Sequence, residues 1–191
     1  MTKGRLEAFS DGVVAILITI MVLEFKVPHG ADWAALGTLA PVGLAYVLSY
    51  MMLGIYWSNH HHLLHATHHV TGGIMWANLH LLFWLSLMPF GTAWMGETHL
   101  QPIPTAVYGM VLLGAGWAYS ILVGRIVAAD GADSPVARAV GRDVKGNASL
   151  VFYLVAIPTA FWRPVVAGAV YVLVALMWLV PDRRIERVLG R

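Results

Sequence analysis

The chain has 191 residues, 59% of them hydrophobic and only 12% charged, with a net charge of +2 and no cysteine. A soluble domain carries about 25% charged residues, so this is the composition of a protein solvated by lipid. The small net charge gives no footprint for nucleic acid, and the lack of thiols excludes disulfides, thiolate nucleophiles and thiolate metal sites.

Apolar runs at residues 6–27, 36–59, 72–95, 103–128, 148–162 and 165–181 predict an all-α, multi-pass membrane protein with six transmembrane helices in one domain, 1–191. The first four have the ~20 residues that a helix needs to cross ~30 Å of hydrocarbon. The last two are shorter and separated only by Arg163 and Pro164. They read as a tight hairpin of interfacial aromatic (Trp162), charge and helix starter, with Pro158 kinking the fifth span. Lys3 and Arg5 ahead of an apolar run imitate a secretory leader, but Asp11 and the lack of a small-residue cleavage pattern argue against one.

Within the first run, Ser10, Asp11 and Gly12 lead into an uncharged stretch, 13–23. A carboxylate there is costly in lipid and calls for a polar partner or water inside a bundle, the default mark of a functional membrane site. At ~100° per residue, Ile16, Ile20, Leu23 and Val27 fall on one stripe, extended by Phe9 and Gly12, with Asp11 on the opposite face. The stripe is wholly apolar. It faces either lipid or a symmetry-related copy around an axis, and the pattern alone does not choose.

The second run closes on Tyr56, Trp57, Ser58, Asn59 and His60–His62, followed by His65, His68 and His69. Helical spacing groups His61, His65 and His68 on one face and His62, His65 and His69 on another, a pattern that imidazole-ligated zinc or nickel also uses. No carboxylate or thiol lies in this segment, so no metal site is assigned. The later histidines read as a solvated interfacial edge, while Asn59 and His60 turn inward as partners for Asp11 or Ser10.

In the third run Trp76, Asn78 and His80 precede a Leu-rich stretch, and buried Asn and His act as interhelical glue. In the fourth, Gly109, Gly114, Gly116 and Gly124 permit close helix contact. Residues 128–146 form a polar connection read as a solvated cytoplasmic linker. With both termini cytoplasmic, every Lys and Arg except Lys26 and Arg163 falls inside, the asymmetry of the positive-inside rule. No nucleophile elbow, phosphate loop, HExxH pair or second intramembrane acid is present, so the chain is not read as an enzyme and no catalytic residue or cofactor is assigned. Six spans around one polar node suit a channel or transporter, and no internal repeat supports the transporter.

Three segments carry a resemblance: RLEAFSDGVVAILITIMVLEFKVP (5–28), YWSNHHHL (56–63) and WANLHLLFWLSLMPFGT (76–92). They resemble the signature segments of the transmembrane-protein-175 family of potassium channels, and the length resembles its short prokaryotic members with one six-helix unit per chain. The resemblance implies a homotetramer in a prokaryotic plasma membrane, with the first helix of each copy lining a central pore. It places the constriction five residues after the motif aspartate, at Ile16, with Ile20 and Leu23 as further apolar rings; Gly12, Thr19 and Glu24 are candidate lining positions. It further implies that Ser10 and Asp11 lie behind the pore helix in a structural network with Trp57, Asn59, His60 and Asn78. Arg5 is placed in the same network, although it sits ~120° round the helix from Asp11.

The implied function is a potassium-permeable, weakly selective cation channel. Its partners are lipid, its own copies and permeating monovalent cations. The TVGYG filter is missing, so selectivity has to come from an apolar ring that gates by dewetting and favours the more easily dehydrated ion. The alternative is a metal or proton-coupled transporter built on Asp11 and the histidines; a third reading is a channel-like fold serving assembly or regulation.

Overall fold

A computed structural model describes residues 2–141 and 143–179. The elements in chain order are α1 (Lys3–Met21), continued by a 3₁₀ turn (Val22–Glu24), α2 (Trp33–Gly37), α3 (Ala40–Ala66), α4 (Gly72–Ser86), α5 (Met88–Glu97), α6 (Pro102–Asp130), α7 (Pro135–Val140), α8 (Val144–Thr159) and α9 (Pro164–Leu179). The described residues contain no strand.

Helix starts follow local chemistry. Pro102, Pro135 and Pro164 occupy first helical positions, where the missing N–H costs nothing. Asp32, Thr71, Ser134 and Asp143 cap α2, α4, α7 and α8 by accepting from a backbone N–H three residues on.

Among the described residues, four helical segments are long and apolar enough to cross a membrane: Lys3–Glu24, Ala40–Ala66, Gly72–Glu97 and Pro102–Asp130. Helices α8 and α9 occupy the fifth and sixth predicted runs with 16 residues each. They form a hairpin through a turn at residues 160–163.

Two predicted boundaries move. The second span starts at Ala40 and runs to Ala66, because the polar histidines continue the helix rather than end it. The third divides at Leu87 into α4 and α5, with Pro89 in the first turn of α5. The polar connection is also more structured than a solvated linker, since it contains α7 and buries Ser134 and Val136.

Helix α6 is central, packing on α4, α5, α8 and α9, while α1 lies along α3, α4 and α5. Leu53, Leu64, Ile74, Leu81, Leu112, Ala115 and Leu122 are fully buried in this core. Two glycines of α6 are demanded by close approach. A Cβ on Gly114 would stand 2.3 Å from the Trp84 ring, and one on Gly109 would stand 2.2 Å from the Tyr171 hydroxyl. Gly124, by contrast, meets nothing within 4 Å. Inside the core Ser49 Oγ lies 2.7 Å from the Tyr108 hydroxyl and 2.5 Å from Thr92 Oγ1, which is 2.6 Å from the Met88 carbonyl. A consistent proton order runs from Tyr108 to Ser49 to Thr92 to that carbonyl, satisfying all three hydroxyls across α3, α5 and α6.

Cations segregate by end. Lys3 donates to the His65 carbonyl, so the start of α1 meets the end of α3, and Arg125 approaches Gly73 at the start of α4. Lys145 joins this end at the start of α8, where its ammonium is 5.9 Å from the Trp178 ring of α9. At the opposite end Lys26 pairs with Glu97, whose carboxylate raises the Lys26 ammonium above its ordinary value. Arg163 lies in the α8–α9 turn. Arg142, Arg183, Arg184, Arg187 and Arg191, assigned above to the cytoplasmic set, lie outside the described residues.

Candidate functional site

Helix α1 has two faces. Leu6, Ser10, Val14, Leu17 and Met21 are buried against the bundle. Ile16 (58%), Ile20 (40%) and Leu23 (76%) are exposed, as are Phe9, Gly12, Thr19 and Val27. The apolar stripe is therefore turned away from the chain's own core along its whole length. A Cβ on Gly12 would meet nothing within 4 Å. The Thr19 hydroxyl is within bonding distance of the Ala15 (3.1 Å) and Ile16 (2.9 Å) carbonyls of its own helix, so its proton is taken and only its lone pairs face outward. Glu24 ends the 3₁₀ turn, half-buried.

Behind that stripe, the polar residues form two separate groups. Ser10, fully buried, donates to the Leu6 carbonyl (2.9 Å) and accepts from Asn78 Nδ2 (2.9 Å). Asn78 Oδ1 lies 2.6 Å from His60 Nε2, and since an amide oxygen only accepts, His60 carries its proton on Nε2. This chain joins α1, α4 and α3, and all three residues are at most 5% exposed. Asp11, half-buried, instead accepts from Trp57 Nε1 at 2.9 Å. The carboxylate thus has a partner on α3, though not the histidine.

Two residues assigned to the network stand apart from it. The Asn59 amide donates to the Ile55 carbonyl one turn back on its own helix at 2.9 Å, a local bond that spares it an interhelical partner. Arg5 is exposed and makes no side-chain hydrogen bond or ion pair with the described residues, because its helical phase carries it to the outward face of α1, away from Asp11.

The histidines divide likewise. His61 stacks on Trp57 (6.3 Å, 29°) and on His65 (6.0 Å, 23°), an exposed ladder along α3. The helix stops at Ala66, so His68 and His69 leave the faces that helical spacing gave them. His68 turns to Asp130 at the end of α6, with Nδ1 3.5 Å from the carboxylate. Among the described residues no three of His, Asp and Glu converge to hold a metal ion. Nothing in the sequence marks the Ser49–Thr92–Tyr108 chain; a Ser, a Thr and a Tyr in apolar runs carry no periodic signal that sets them apart.

Replacing Asp11 by Ala removes a half-buried acceptor and leaves the Trp57 indole without its bond, for an expected cost of about 1–2 kcal/mol. The unfolding temperature in detergent should fall; an unaltered unfolding temperature would mean that the Trp57–Asp11 bond does not hold α1 against α3.

The family model described as "Endosomal/lysosomal potassium channel TMEM175" matches residues 5–89, a stretch that holds the exposed stripe of α1 and both polar groups. A potassium channel of Chryseobacterium sp. (strain P1-3) is 52% identical over 187 residues, covering 98% of this chain and 97% of its own. The rat endosomal/lysosomal proton channel TMEM175 is 40% identical over 75 residues, 33% of this chain and 15% of the rat protein. The crystal structure of a lysosomal potassium-selective channel TMEM175 homolog from Chamaesiphon minutus superposes with a TM-score of 0.83 at 27% identity, covering 95% of this chain and 97% of that one.

Proposed function

This chain belongs to the TMEM175 family, whose members are ion channels and not enzymes, and on that premise we propose that it forms a potassium-permeable, weakly selective cation channel. The unit is the whole chain, 1–191, with six transmembrane helices. Four copies surround an axis lined by α1. The observation that carries this reading is the outward apolar stripe of α1, with Ile16 58%, Ile20 40% and Leu23 76% exposed in a helix whose other face is packed into the core.

Ile16 forms the narrowest ring, and Ile20 and Leu23 continue it. An apolar ring opposes water and ions by dewetting; when widened it passes ions that shed part of their hydration shell, which favours potassium over sodium modestly. Gly12 leaves the approach wide. The outward lone pairs of Thr19 offer an oxygen one turn from the constriction, and Glu24 raises the local cation concentration at the other mouth. Ser10–Asn78–His60 and Asp11–Trp57 act behind this wall: they lock α1 against α3 and α4, so the stripe keeps its phase. Monovalent cations and the surrounding lipid are the partners, and no cofactor takes part.

Purified protein in liposomes tests this. The expected result is passive potassium flux exceeding sodium flux by a modest factor and independent of added zinc or nickel. Flux that required a proton gradient or an added metal would favour the transporter built on Asp11 and the histidines.

The chain is placed in the plasma membrane with both termini cytoplasmic. Cysteine introduced at Asp133, exposed beside α7, should resist an impermeant external thiol reagent in intact cells, and cysteine at exposed His29 should react. Ser134 is unsuitable because it is buried as the cap of α7. Reaction at position 133 would overturn the topology.

A further inference from the structure

A second site lies away from α1. Helices α3, α6, α8 and α9 enclose a cavity with about 40 Å³ open to the centre of a water-sized sphere, lined among others by Tyr56, Asn59, Tyr119, Asp143, Tyr153 and Trp178. No residue of α1 lines it. A cavity needs ~10–15 Å³ measured in this way to hold a single water, so this space exceeds that need and admits a small polar group. Its lining includes Asp143 and Gly146 at the start of α8 and Trp178 near the end of α9.

The lining has a definite chemistry. Asp143 supplies a carboxylate, and no Lys or Arg is among the described lining residues. Asp143 Oδ1 caps α8 by accepting from the Gly146 N–H at 3.0 Å. Its second oxygen has no hydrogen-bond partner among the described residues, and neither do the Tyr56 and Tyr153 hydroxyls or Asn59 Oδ1. Around these oxygens stand aromatic rings: Tyr56 and Tyr119 meet edge to face at 6.2 Å, and the Trp178 indole is fixed by its bond to Ser149 Oγ at 2.9 Å. The Lys145 ammonium stands 5.9 Å from the centre of that indole, so an ammonium already sits against part of this aromatic wall.

A free carboxylate oxygen, several acceptor oxygens and ring faces, with no Lys or Arg among the described lining residues, recognise an N–H-bearing cation and disfavour anions. We infer that this cavity binds a small primary ammonium group, its charge held by Asp143 and its body by the rings of Tyr56, Tyr119 and Tyr153. The same chemistry is presented by a free short-chain amine and by an ethanolamine lipid headgroup reaching in from the membrane surface. Because α1 takes no part, occupancy acts through the packing of α3, α6 and α8 rather than by plugging the axis.

The full chain, purified in a detergent free of amine lipids, is titrated with ethanolammonium chloride and, at equal ionic strength, with potassium and sodium chloride. Ethanolammonium should raise the unfolding temperature saturably, beyond either alkali ion. Asp143→Asn keeps the helix cap, since Asn caps as well as Asp, but removes the charge, and should weaken binding about tenfold. Ile55→Phe fills the cavity without touching a charge and should abolish the response. In a parallel arm, native mass spectrometry counts phosphatidylethanolamine against phosphatidylglycerol retained from mixed nanodiscs. Saturation by the free amine identifies a soluble ligand, whereas retention of phosphatidylethanolamine that Asp143→Asn and Ile55→Phe both lose identifies the headgroup. No response in either arm, an equal response to potassium, or binding unaltered in both variants would overturn the site.

Discussion

Replacing Ile16 by Asn is expected to raise potassium flux about tenfold, the effect of removing about 1.4 kcal/mol of barrier, and to lower the preference for potassium over sodium. Ile16 is 58% exposed on the outward stripe of α1, so the change sacrifices little packing within the chain. In the proposed tetramer it would put four hydrogen-bonding amides at the proposed apolar ring, and a wetted ring no longer imposes a dehydration cost on ions. Leu17, ~100° round the helix, is not a suitable control, because it is only 7% exposed and an amide there would disrupt the core. Ala15, also ~100° away but exposed, is the control, and Ala15→Asn should leave flux and selectivity unchanged. The measurement is flux with potassium and sodium gradients on liposomes with equal amounts of assembled protein.

The second large effect falls on stability. Asn78→Leu removes at once the donor to Ser10 and the acceptor of His60, two bonds that join three helices in a region from which water is excluded. The expected cost is about 3 kcal/mol, seen as a lower unfolding temperature and a loss of assembled protein. Asn59→Leu should cost less than about 1 kcal/mol, since its amide serves only its own helix. Thermal unfolding of both variants in one detergent checks the pair. The reverse order would mean that the Ser10–Asn78–His60 chain does not hold α1 in place.

This contrast shows where the sequence was readable and where it was not. A polar residue in a membrane helix must find a partner, and that necessity marks Ser10, Asp11, His60 and Asn78 in the sequence alone. It does not say which partner. Asn59 and His60 are neighbours, yet one turns back on its own helix and the other crosses to α4, a choice made by helix phase and the position of α4. The length of α3 was hidden because hydropathy ends at the first histidine, whereas backbone hydrogen bonding continues to Ala66. The break at Leu87 was hidden for a related reason: a proline in the first turn of a new helix and a proline that kinks an old one leave the same mark in a sequence. Tyr108, Ser49 and Thr92 find one another only through the packing of three helices.

The outward stripe belongs to another category. Lipid tails and a second copy of α1 are equally apolar, so the same residues suit either neighbour. Choosing between them takes a measurement that reports on the neighbour itself.

The native chain has no cysteine, so Ile16→Cys introduces the only thiols in the assembly. If four copies of α1 surround an axis, those thiolates converge and bind cadmium, and potassium flux through the Ile16→Cys protein in liposomes should be blocked by cadmium and restored by a chelator. The unmodified chain and Ala15→Cys, measured alongside, should conduct throughout. Block at Ala15→Cys with none at Ile16→Cys, or an Ile16→Cys protein that conducts normally in cadmium, would contradict a pore lined by this face of α1.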